Sequence, residues 1–540
     1  MTATTPDTSL DGMLAEHAAA RPADAAVMLP SVPGAGMRTV TFGVLQRRVE
    51  DVAAGLLAAG VGPGTRTALL VPPIADFFVL AYALLRIRAV PVVVDPGIGL
   101  DRVRSCLGEA APEAFVGIAK AHLARRVLRW CPDARIAITA GAVPVPGTTS
   151  VRRLERDGAR RAPQDPLPRP EGSPAAILFT SGSTGPPKGV EHHESGLLAQ
   201  ADLIRDLYRL GPGDVSLATF PPFALFGPAL GMTTVVPRMD PTRPAKARPA
   251  RLVHAAQRTG ATVMFGSPAL LDRLGRGAPA GTRIPWLRQV ISAGAPVPRE
   301  TQRRVLALLG PGAQVHTPYG ATEALPVASI GSDELLALPD DGICVGRPVP
   351  GVDVALMRVC DGPVDALTSD RLVAPGEVGE VVVRGPVVSP AYADRPDATA
   401  AAKLRWDGRL AHRTGDLASL DDDGRLWFAG RVAHVVHTAG GPLHSVPCEE
   451  VLNHHPAVRR CALVGVGPEH DRTPVAVVEM LAGNRLTGEV ADELRALAAA
   501  DTRTKTITTL LEHPALPVDP RHNSKIDREA LGRWATRELA

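Results

Sequence analysis

Cysteine and aromatic residues are both scarce in this sequence of 540 residues. There are six cysteines, and no two of them stand at Cys-x-x-Cys spacing, so the sequence indicates neither a zinc knuckle nor a disulfide framework. Scattered cysteines in a long chain fit a reducing compartment, and we therefore predict a cytoplasmic location. Aromatic residues make up only 4% of the chain, which leaves little material for platforms that stack nucleic-acid bases.

The sequence also lacks a charge excess and an uninterrupted apolar run. Lys and Arg number 59 against 56 Asp and Glu, and this net charge of +3 argues against nucleic acid or an anionic membrane as a partner. Residues 68–94 form the most apolar segment, but prolines, one aspartate and two arginines interrupt it, so we predict no membrane span. The first residues lack the basic and apolar regions of a signal peptide.

The first third of the chain alternates helical and strand patterns. Apolar residues recur on one face over residues 41–60, which predicts a helix, and residues 66–71 predict a strand. A second helix follows at 74–87 and a second strand at 90–94. This alternation predicts an α/β layered domain with a largely parallel sheet. Further along, alternating faces in residues 376–385 predict a hairpin.

The end of the chain, from about residue 432, has the pattern of a separate, smaller α+β unit. Residues 447–455 and 490–500 predict helices, and residues 461–466 and 475–479 predict strands.

A loop rich in glycine and hydroxyl groups follows an apolar strand at 175–179. Its glycines permit a close backbone approach to a ligand, and its hydroxyls, backbone N–H groups and lysine form a cradle for an anion, best a polyphosphate. The Walker A loop is excluded because Pro186 and Pro187 directly precede Lys188. A plain surface turn is the alternative. The predicted phosphate-binding residues are Thr180, Ser181, Gly182, Ser183, Thr184, Gly185 and Lys188.

This loop resembles the phosphate-binding signature of the adenylate-forming superfamily, which includes acyl-CoA synthetases, luciferases and the adenylation domains of peptide synthetases. Residues 316–323, His-Thr-Pro-Tyr-Gly-Ala-Thr-Glu, resemble the second nucleotide motif of that superfamily. The resemblance implies ATP and Mg²⁺ as cofactors. It also implies that Tyr319, beside Gly320, stacks on adenine, that Thr322 bonds the α-phosphate, and that Glu323 binds Mg²⁺ together with Thr184. A turn with a surface glutamate is the alternative.

Three further segments are weak signals by themselves. Their positions in the chain relative to these two motifs suggest a role for each. The strand end at 288–298 resembles the loop that presses its backbone against adenine, here at Gly294 and Ala295. Asp416 resembles the aspartate that binds ribose, and Arg431 the arginine beside the hinge. Lys525 resembles the catalytic lysine that reaches the substrate carboxylate and the α-phosphate. A turn aspartate and a solvated lysine are the structural alternatives.

The uncharged segment 220–236 predicts either buried helix and strand or the wall of an apolar substrate pocket. By resemblance it lines the acyl site, with Phe223 as a candidate gate and Phe226 beside it. Ser267 is a third candidate for this pocket, although an ordinary turn serine explains it equally well.

The resemblance also implies a domain division and a fold class. It predicts an α/β fold with a large AMP-binding and acyl-binding domain at 1–430, a hinge at 431–434, and a small mobile α+β domain at 435–540.

The chain departs from the acyl-CoA synthetases after Arg431. Ala433 and His434 replace the lysine and the acid of the usual hinge sequence, and residues 440–443 rewrite the glycine-rich loop that supports thiol attack. These departures resemble the β-lactone synthetases of olefin and β-lactone biosynthesis. That branch implies adenylation of a β-hydroxy fatty acid, followed by attack of the β-hydroxyl on the acyl carbon. His434, His437 and His444 are conceivable bases, with no ground for choosing among them.

Two other functions stay open at this point. One is an AMP-forming acyl-CoA or acyl-carrier ligase with an unusual hinge. The other is a non-catalytic adenylate-binding protein, against which the joint presence of Lys188, Glu323, Asp416 and Lys525 speaks. The implied partners are a small fatty acid and, in the case of a shared pathway, other enzymes in a complex, with no nucleic acid.

Overall fold

A computed structural model describes residues 9–31, 36–162, 167–180, 185–518 and 525–540. The predicted α/β class is confirmed. Two large sheets with helices packed around them occupy the first four fifths of the chain, and two small sheets follow.

The α-helices of the described residues are, in chain order, α1 (Leu10–Ala20), α2 (Phe42–Ala58), α3 (Ala75–Arg86), α4 (Leu100–Ala110), α5 (Ala119–Leu128), α6 (Val151–Gly158), α7 (Glu194–Tyr208), α8 (Pro221–Ala229), α9 (Pro249–Thr259), α10 (Pro268–Gly277), α11 (Arg299–Leu306), α12 (Ser332–Ala337), α13 (Pro396–Ala402), α14 (Ser445–Asn453), α15 (Gly488–Ala500) and α16 (Arg528–Leu539). Short 3₁₀ helices occur at Pro96–Ile98, Pro244–Lys246, Ser369–Arg371 and Val432–His434.

The strands are β1 (Ala25–Pro30), β2 (Met37–Thr41), β3 (Arg66–Leu70), β4 (Val90–Val93), β5 (Ala114–Gly117), β6 (Ile136–Thr139), β7 (Thr149–Ser150), β8 (Ala176–Phe179), β9 (Gly189–His192), β10 (Val215–Ala218), β11 (Thr233–Val235), β12 (Val263–Phe265), β13 (Gln289–Ile291), β14 (Gln314–Ala321), β15 (Ala324–Gly331), β16 (Ile343–Pro348), β17 (Asp353–Met357), β18 (Gly379–Arg384), β19 (Lys403–Trp406), β20 (Arg409–Leu420), β21 (Leu426–Arg431), β22 (Val436–Thr438), β23 (Gly441–Leu443), β24 (Val458–Val466), β25 (Thr473–Met480) and β26 (Thr509–Glu512).

The first large sheet has the strand order β7-β6-β5-β3-β4-β8-β9. Its strands run parallel except for β9, which is antiparallel to β8. The predicted phosphate-binding loop connects β8 to β9 and therefore begins at the carboxyl end of a parallel strand. Ligands of open α/β sheets bind at such strand ends, so the topology suits the predicted role of the loop.

The apolar segment at 68–94 owes its composition to burial inside the protein. It contains β3, α3 and β4, and α3 buries nine consecutive residues from Phe77 to Leu85. A helix that is apolar on all sides is typical of a position between packed layers. Among the described residues, no helix combines the length and the apolar composition that crossing a lipid bilayer requires.

The second large sheet has the order β17-β18-β20-β21-β16-β15-β14-β13-β12-β10-β11-β1-β2, with β19 attached to β20. Its central strands are parallel from β1 through β14, and the strands from β14 to β17 are antiparallel. This arrangement brings the ends of β14, β20 and β21 into one region, although long stretches of sequence separate them.

The hairpin predicted at 376–385 is wrong. This segment contributes one strand, β18, which lies between β17 and β20 and buries five of its six residues. The alternating faces suggested the two strands of a hairpin, but the segment forms one strand that neighbours cover on both sides and on both faces. A central strand and a hairpin arm share the same local pattern, and only the pairing distinguishes them.

The α+β pattern predicted for the end of the chain is confirmed. The predicted elements correspond to α14, β24, β25 and α15, and β26 and α16 complete the unit. The sheet order is β24-β25-β26, and β22 pairs with β23 in a separate hairpin. The core of this C-terminal unit contains Cys448, Leu452, Cys461 and Leu463. The exact domain boundaries and the mobility of this unit stay predictions.

Candidate functional site

Two hydrogen bonds join the ends of the predicted phosphate-binding loop. The Thr180 N–H donates to the Lys188 carbonyl at 3.0 Å, and the Lys188 N–H donates to Thr180 Oγ1 at 3.0 Å. The loop therefore leaves and rejoins the sheet at one place, with Lys188 at its base. Gly185 has a φ of +142°, a backbone conformation that suits glycine. The predicted residues Ser181, Gly182, Ser183 and Thr184 lie outside the described residues.

Tyr392, which sequence analysis gave no role, connects Lys188 with Glu323. The Lys188 ammonium nitrogen lies 4.7 Å from the centroid of the Tyr392 ring, within the range of a cation–π contact. The Tyr392 hydroxyl donates to Glu323 Oε1 at 2.6 Å. Tyr392 is buried and forms a β-bridge with Val190 on β9. One side chain thus touches the predicted phosphate lysine and the predicted metal ligand.

Glu323 is suited to bind a hard cation. It occupies the turn between β14 and β15 with Thr322, and only 9% of its surface is exposed. Its Oε1 accepts the Tyr392 bond, and no hydrogen bond from the described residues reaches Oε2. The described residues contain no group of three or more His, Cys, Asp or Glu that could hold a metal by themselves. Mg²⁺ commonly binds through one or two carboxylates plus phosphate oxygens, so Glu323 fits an ion shared with a nucleotide.

Tyr319, Asp416 and Arg431 form a second cluster. The Tyr319 hydroxyl donates to Asp416 Oδ2 at 2.8 Å, and Arg431 Nε donates to Asp416 Oδ1 at 2.7 Å. Asp416 and Arg431 are also paired across β20 and β21. Burial and, next, the charge of Asp416 raise the pKa of Tyr319 well above its usual value. Two hydrogen bonds therefore hold the side chain of Asp416 in one orientation, which suits its predicted role in ribose binding.

The two clusters are neighbours. The charge of Arg431 acts on Tyr392, and the charge of Glu323 acts on Arg431. The structure thus brings together five predicted residues that lie far apart in sequence. They are Lys188, Tyr319, Glu323, Asp416 and Arg431.

Two of the predicted glycines occupy positions where a residue with a side chain would strain the backbone or clash with a neighbour. Gly294 has a φ of +94° in the exposed loop after β13, next to the half-buried Ala295. A Cβ at Gly320 would lie 2.5 Å from the carbonyl oxygen of Ala324. Glycine therefore lets the backbone at 320 pack against Ala324 and lets the exposed backbone at 294 adopt a positive φ, and both features are compatible with the predicted contact with adenine. Beside the first loop, the buried Ser292 hydroxyl oxygen has no hydrogen-bond partner in the described part of the chain.

The candidate acyl pocket contains a stack of phenylalanines. The rings of Phe223 and Phe265 lie 4.0 Å apart with an interplanar angle of 14°, and Phe226 approaches Phe223 edge-on at 6.1 Å. Phe220 completes the group beside the stack, with its ring 6.0 Å from that of Phe223 and 5.8 Å from that of Phe265. Sequence analysis missed Phe265 because its contact with Phe223 joins β12 to α8 over 42 positions. A ring stack on Phe223 is compatible with a gate, which stays a prediction.

Ser267 caps the N-terminus of α10. Its hydroxyl accepts the Leu270 N–H at 3.3 Å, which is the usual role of a serine before a helix. This contact favours the alternative of a structural serine, and its place in the acyl pocket stays a prediction.

Sequence analysis also assigned no role to Lys403. It begins β19, and its ammonium group donates to Ser389 Oγ at 3.1 Å. Part of the side chain is accessible, yet burial lowers the pKa of Lys403 to about 7, against the opposite effect of Glu323. The only local signal was a single lysine that interrupts a run of alanine and leucine at 400–404. Such an interruption is too common to indicate a site.

Lys525 lies three residues before an ion pair that anchors the end of the chain. Arg528 Nη2 donates to both carboxylate oxygens of Glu449 at 2.7 Å, and this joins the start of α16 to α14. Glu449 also accepts the Leu463 N–H at 2.8 Å. Lys525 itself is half-buried. Its reach to a bound nucleotide stays a prediction.

Among the three candidate bases, His434 lies beside two arginines. Burial and the charges of Arg528 and Arg431 lower the pKa of His434 to about 3. Burial also lowers the pKa of His444, with a smaller effect from His437. An imidazole with a pKa near 3 is neutral at physiological pH but binds a proton weakly, so this low pKa does not favour His434 as a base.

Comparisons with known proteins agree with this geometry. The AMP-binding enzyme family matches residues 14–393. The chain is 46% identical to an "Olefin beta-lactone synthetase" of Stenotrophomonas maltophilia, over 97% of this chain and 98% of the relative. It is 45% identical to the protein of the same name in Xanthomonas campestris, over 96% of each.

Among solved structures, the amide bond synthetase McbA of Marinactinospora thermotolerans aligns with a TM-score of 0.79 and 24% identity, covering 98% of this chain and 100% of that one. This likeness concerns the fold. The family match, which covers well over half of the chain, together with the two full-length relatives, establishes that this protein belongs to the AMP-binding enzyme family.

Proposed function

We propose that this enzyme uses ATP and Mg²⁺ to adenylate a β-hydroxy fatty acid and then closes the adenylate to a β-lactone, with release of AMP. The observation that carries the proposal is identity of 46% and 45% along nearly the whole length of two proteins named olefin beta-lactone synthetase. The matches extend over 97% and 96% of this chain, well past the large domain, which supports the same second half-reaction.

In the first step a carboxylate oxygen of the acid bonds to the α-phosphorus of ATP, and the bond to pyrophosphate breaks. In our proposal Tyr319 stacks on adenine, Asp416 and Arg431 hold the ribose, and Lys188 binds phosphate. Lys525 donates to the acid and the α-phosphate, where charge develops in the transition state. Mg²⁺ bound at Glu323 would neutralise part of the negative charge on the phosphates.

In the second step the β-hydroxyl oxygen bonds to the acyl carbon, the bond from that carbon to AMP breaks, and the hydroxyl proton passes to a base. Because the nucleophile belongs to the substrate, its effective concentration is high and no second substrate has to bind. The apolar chain of the acid would lie against the phenylalanines around Phe223. We assign the base to none of the histidines.

We also propose that residues 431–434 act as a hinge between a domain at 1–430 and a mobile one at 435–540. Support comes from the 3₁₀ helix Val432–His434, which links the last strand of the large sheet to β22. The contacts between the two parts include an exposed ion pair, Arg503 with Asp341 at 2.9 Å, which costs little to break. A cytoplasmic location and a complex with enzymes of the same pathway stay predictions.

The test is mass spectrometry of the products formed from ATP and a β-hydroxy fatty acid, with and without CoA. We expect AMP, pyrophosphate and a product lighter than the acid by one water, with the infrared carbonyl band of a β-lactone, in the absence of CoA. The matched control is an acid of equal length without the hydroxyl, which should support exchange between ATP and pyrophosphate but yield no lactone. A strict requirement for CoA, with a thioester as product, would instead support an acyl-CoA ligase.

A further inference from the structure

We propose that Lys403 is a positioning residue for the site where the metal and pyrophosphate bind, and that it acts through Ser389 on Glu323. The inference rests on the proposed role of Glu323 as a ligand of Mg²⁺. It assigns a role to a lysine outside the motifs that resemble those of the superfamily.

A chain of contacts connects Lys403 to Glu323. The Lys403 ammonium donates to Ser389 Oγ at 3.1 Å, and the Ser389 N–H donates to the Glu323 carbonyl at 2.8 Å. Three residues later, the Tyr392 hydroxyl donates to the Glu323 carboxylate at 2.6 Å. Segment 389–392 therefore holds Glu323 by both its backbone and its side chain. Ser389 is only 3% exposed, so the lysine is attached to the buried side of this segment.

The charge on Lys403 has no evident value for folding. None of the ion pairs between described residues includes Lys403, and Glu323 acts on it only through space. Burial disfavours its charged form, which is why its pKa falls to about 7. A methionine of similar length would fill the same space without this desolvation cost. A charged group kept in an unfavourable place is typical of a functional site.

Several basic side chains gather around Lys403. His192 and His412 are buried beside it, and burial, followed by the charge of Lys403, lowers the pKa of both. Both imidazoles are therefore neutral near pH 7. The charges of Lys188 and Lys403 both lower the pKa of His412, and the carboxylate of Glu323 acts on Lys403 with the opposite sign. The Nε2 atom of His192 has no hydrogen-bond partner in the described part of the chain. The phosphate oxygens of an anion such as pyrophosphate could accept hydrogen bonds from basic side chains of this kind.

Binding of Mn²⁺ in place of Mg²⁺ tests the proposal without reference to turnover. Electron paramagnetic resonance would measure the affinity for Mn²⁺ in the presence of a non-hydrolysable ATP analogue. We expect Lys403→Met to weaken this affinity roughly 10-fold, as loss of a residue behind a metal ligand usually does. Ser389→Ala should have a similar effect, because it breaks the same chain of contacts. The KM for the β-hydroxy acid should not change in either variant.

Two further variants separate the possible results. Lys246→Met makes the same replacement at an exposed position and should leave the affinity for Mn²⁺ unchanged. Glu323→Gln should lose this affinity. Unchanged Mn²⁺ binding in Lys403→Met, with a loss in Glu323→Gln, would overturn the role of Lys403 and leave the proposed function intact. Unchanged binding in Glu323→Gln would instead overturn the metal assignment itself. If Lys403→Met does not fold, parental binding in Ser389→Ala overturns the inference.

Discussion

The hydroxyl of Tyr392 lies 2.6 Å from Glu323 Oε1, although 69 positions separate the two residues in the sequence. The same tyrosine ring lies under the ammonium group of Lys188. One buried side chain thereby fixes the relative position of a phosphate-binding candidate and a metal-binding candidate. We therefore expect cation binding at Glu323 to depend on this single hydroxyl group.

Removal of that hydroxyl should weaken the cation site selectively. Tyr392→Phe keeps the ring beneath Lys188 but leaves the Glu323 carboxylate without its donor. We expect the Mg²⁺ concentration for half-maximal exchange between ATP and pyrophosphate to rise roughly 10-fold. A titration of the exchange rate with Mg²⁺ measures this shift.

Tyr208→Phe is the matched control, since it removes another buried hydroxyl, bonded to Ser329 Oγ at 3.1 Å. This variant should lose some stability but keep the parental Mg²⁺ curve. Identical Mg²⁺ curves for Tyr392→Phe and the parent would show that the hydrogen bond does not orient Glu323 for a metal.

Neutralisation of Asp416 should lower both the affinity for ATP and the free energy of unfolding. Asp416→Asn cannot accept charge-assisted hydrogen bonds from a ribose, and we expect ATP affinity to fall by about 10-fold or more. The partly buried Arg431 would also lose its carboxylate, so the free energy of unfolding should decrease by about 3 kcal/mol. Calorimetric titration with ATP and urea denaturation measure the two effects.

The control is Asp353→Asn, which removes a carboxylate from an exposed pair with Arg384. A surface pair of this kind contributes little, so ATP affinity and stability should both stay close to parental values. Parental ATP affinity in Asp416→Asn would contradict a role in ribose binding.

Removal of the Lys525 ammonium should abolish adenylation without unfolding the protein. Lys525→Ala loses a donor that acts where charge develops, and we expect the exchange rate to fall at least about 100-fold. Circular dichroism melting should stay unchanged, because the Arg528–Glu449 pair that anchors the start of α16 is retained. Lys505→Ala, at an exposed lysine of the same unit, is the control. Exchange at the parental rate in Lys525→Ala would remove the catalytic assignment.

Stability should decline in mild acid because of His316. Burial lowers the pKa of His316 from 6.5 to about 4, outweighing the opposite effect of Asp333. Between these two values the unfolded chain binds more protons than the folded one, so the free energy of unfolding falls as the pH falls. This contribution is lost from pH 6.5 down to about 4 and is constant above that range.

His316→Phe provides the comparison, since it keeps a ring beside Tyr208 and cannot bind a proton. Urea denaturation at several pH values between 7 and 4.5, about the range of the titration, should give a shallower pH dependence for the variant than for the parent. Equal slopes for the two proteins would contradict the depressed pKa.

Local pattern predicted the elements of this protein well where one pattern permits one structure. The apolar face of residues 41–60 corresponds to α2, and the apolar strand predicted before the phosphate-binding loop corresponds to β8. The segment at 376–385 failed because its alternation fits a hairpin arm and a central strand equally well. Burial of β18 on both sides depends on β17 and β20, which no window around β18 contains.

In the candidate site, too, some residues could be predicted from their local sequence and others only from the fold. Lys188 belongs to a short loop whose composition already indicates anion binding, and Tyr319 and Glu323 belong to a segment that resembles a nucleotide motif of the adenylate-forming superfamily. Tyr392 and Lys403 belong to no such segment. Their importance arises from the neighbours that the fold supplies, namely Glu323 for one and Ser389 for the other.

The sequence alone determined the α/β class, the loops able to approach a nucleotide, and the residue types available for adenylation. Those properties depend on φ and ψ preferences and on periodicity, which act over a few residues. Tertiary structure alone decided that Tyr319 meets Asp416 across 97 positions and that Tyr392 meets Glu323. The pairing and register of distant strands set these contacts, because the free energy that selects them comes from burial of the whole sheet rather than from any one segment.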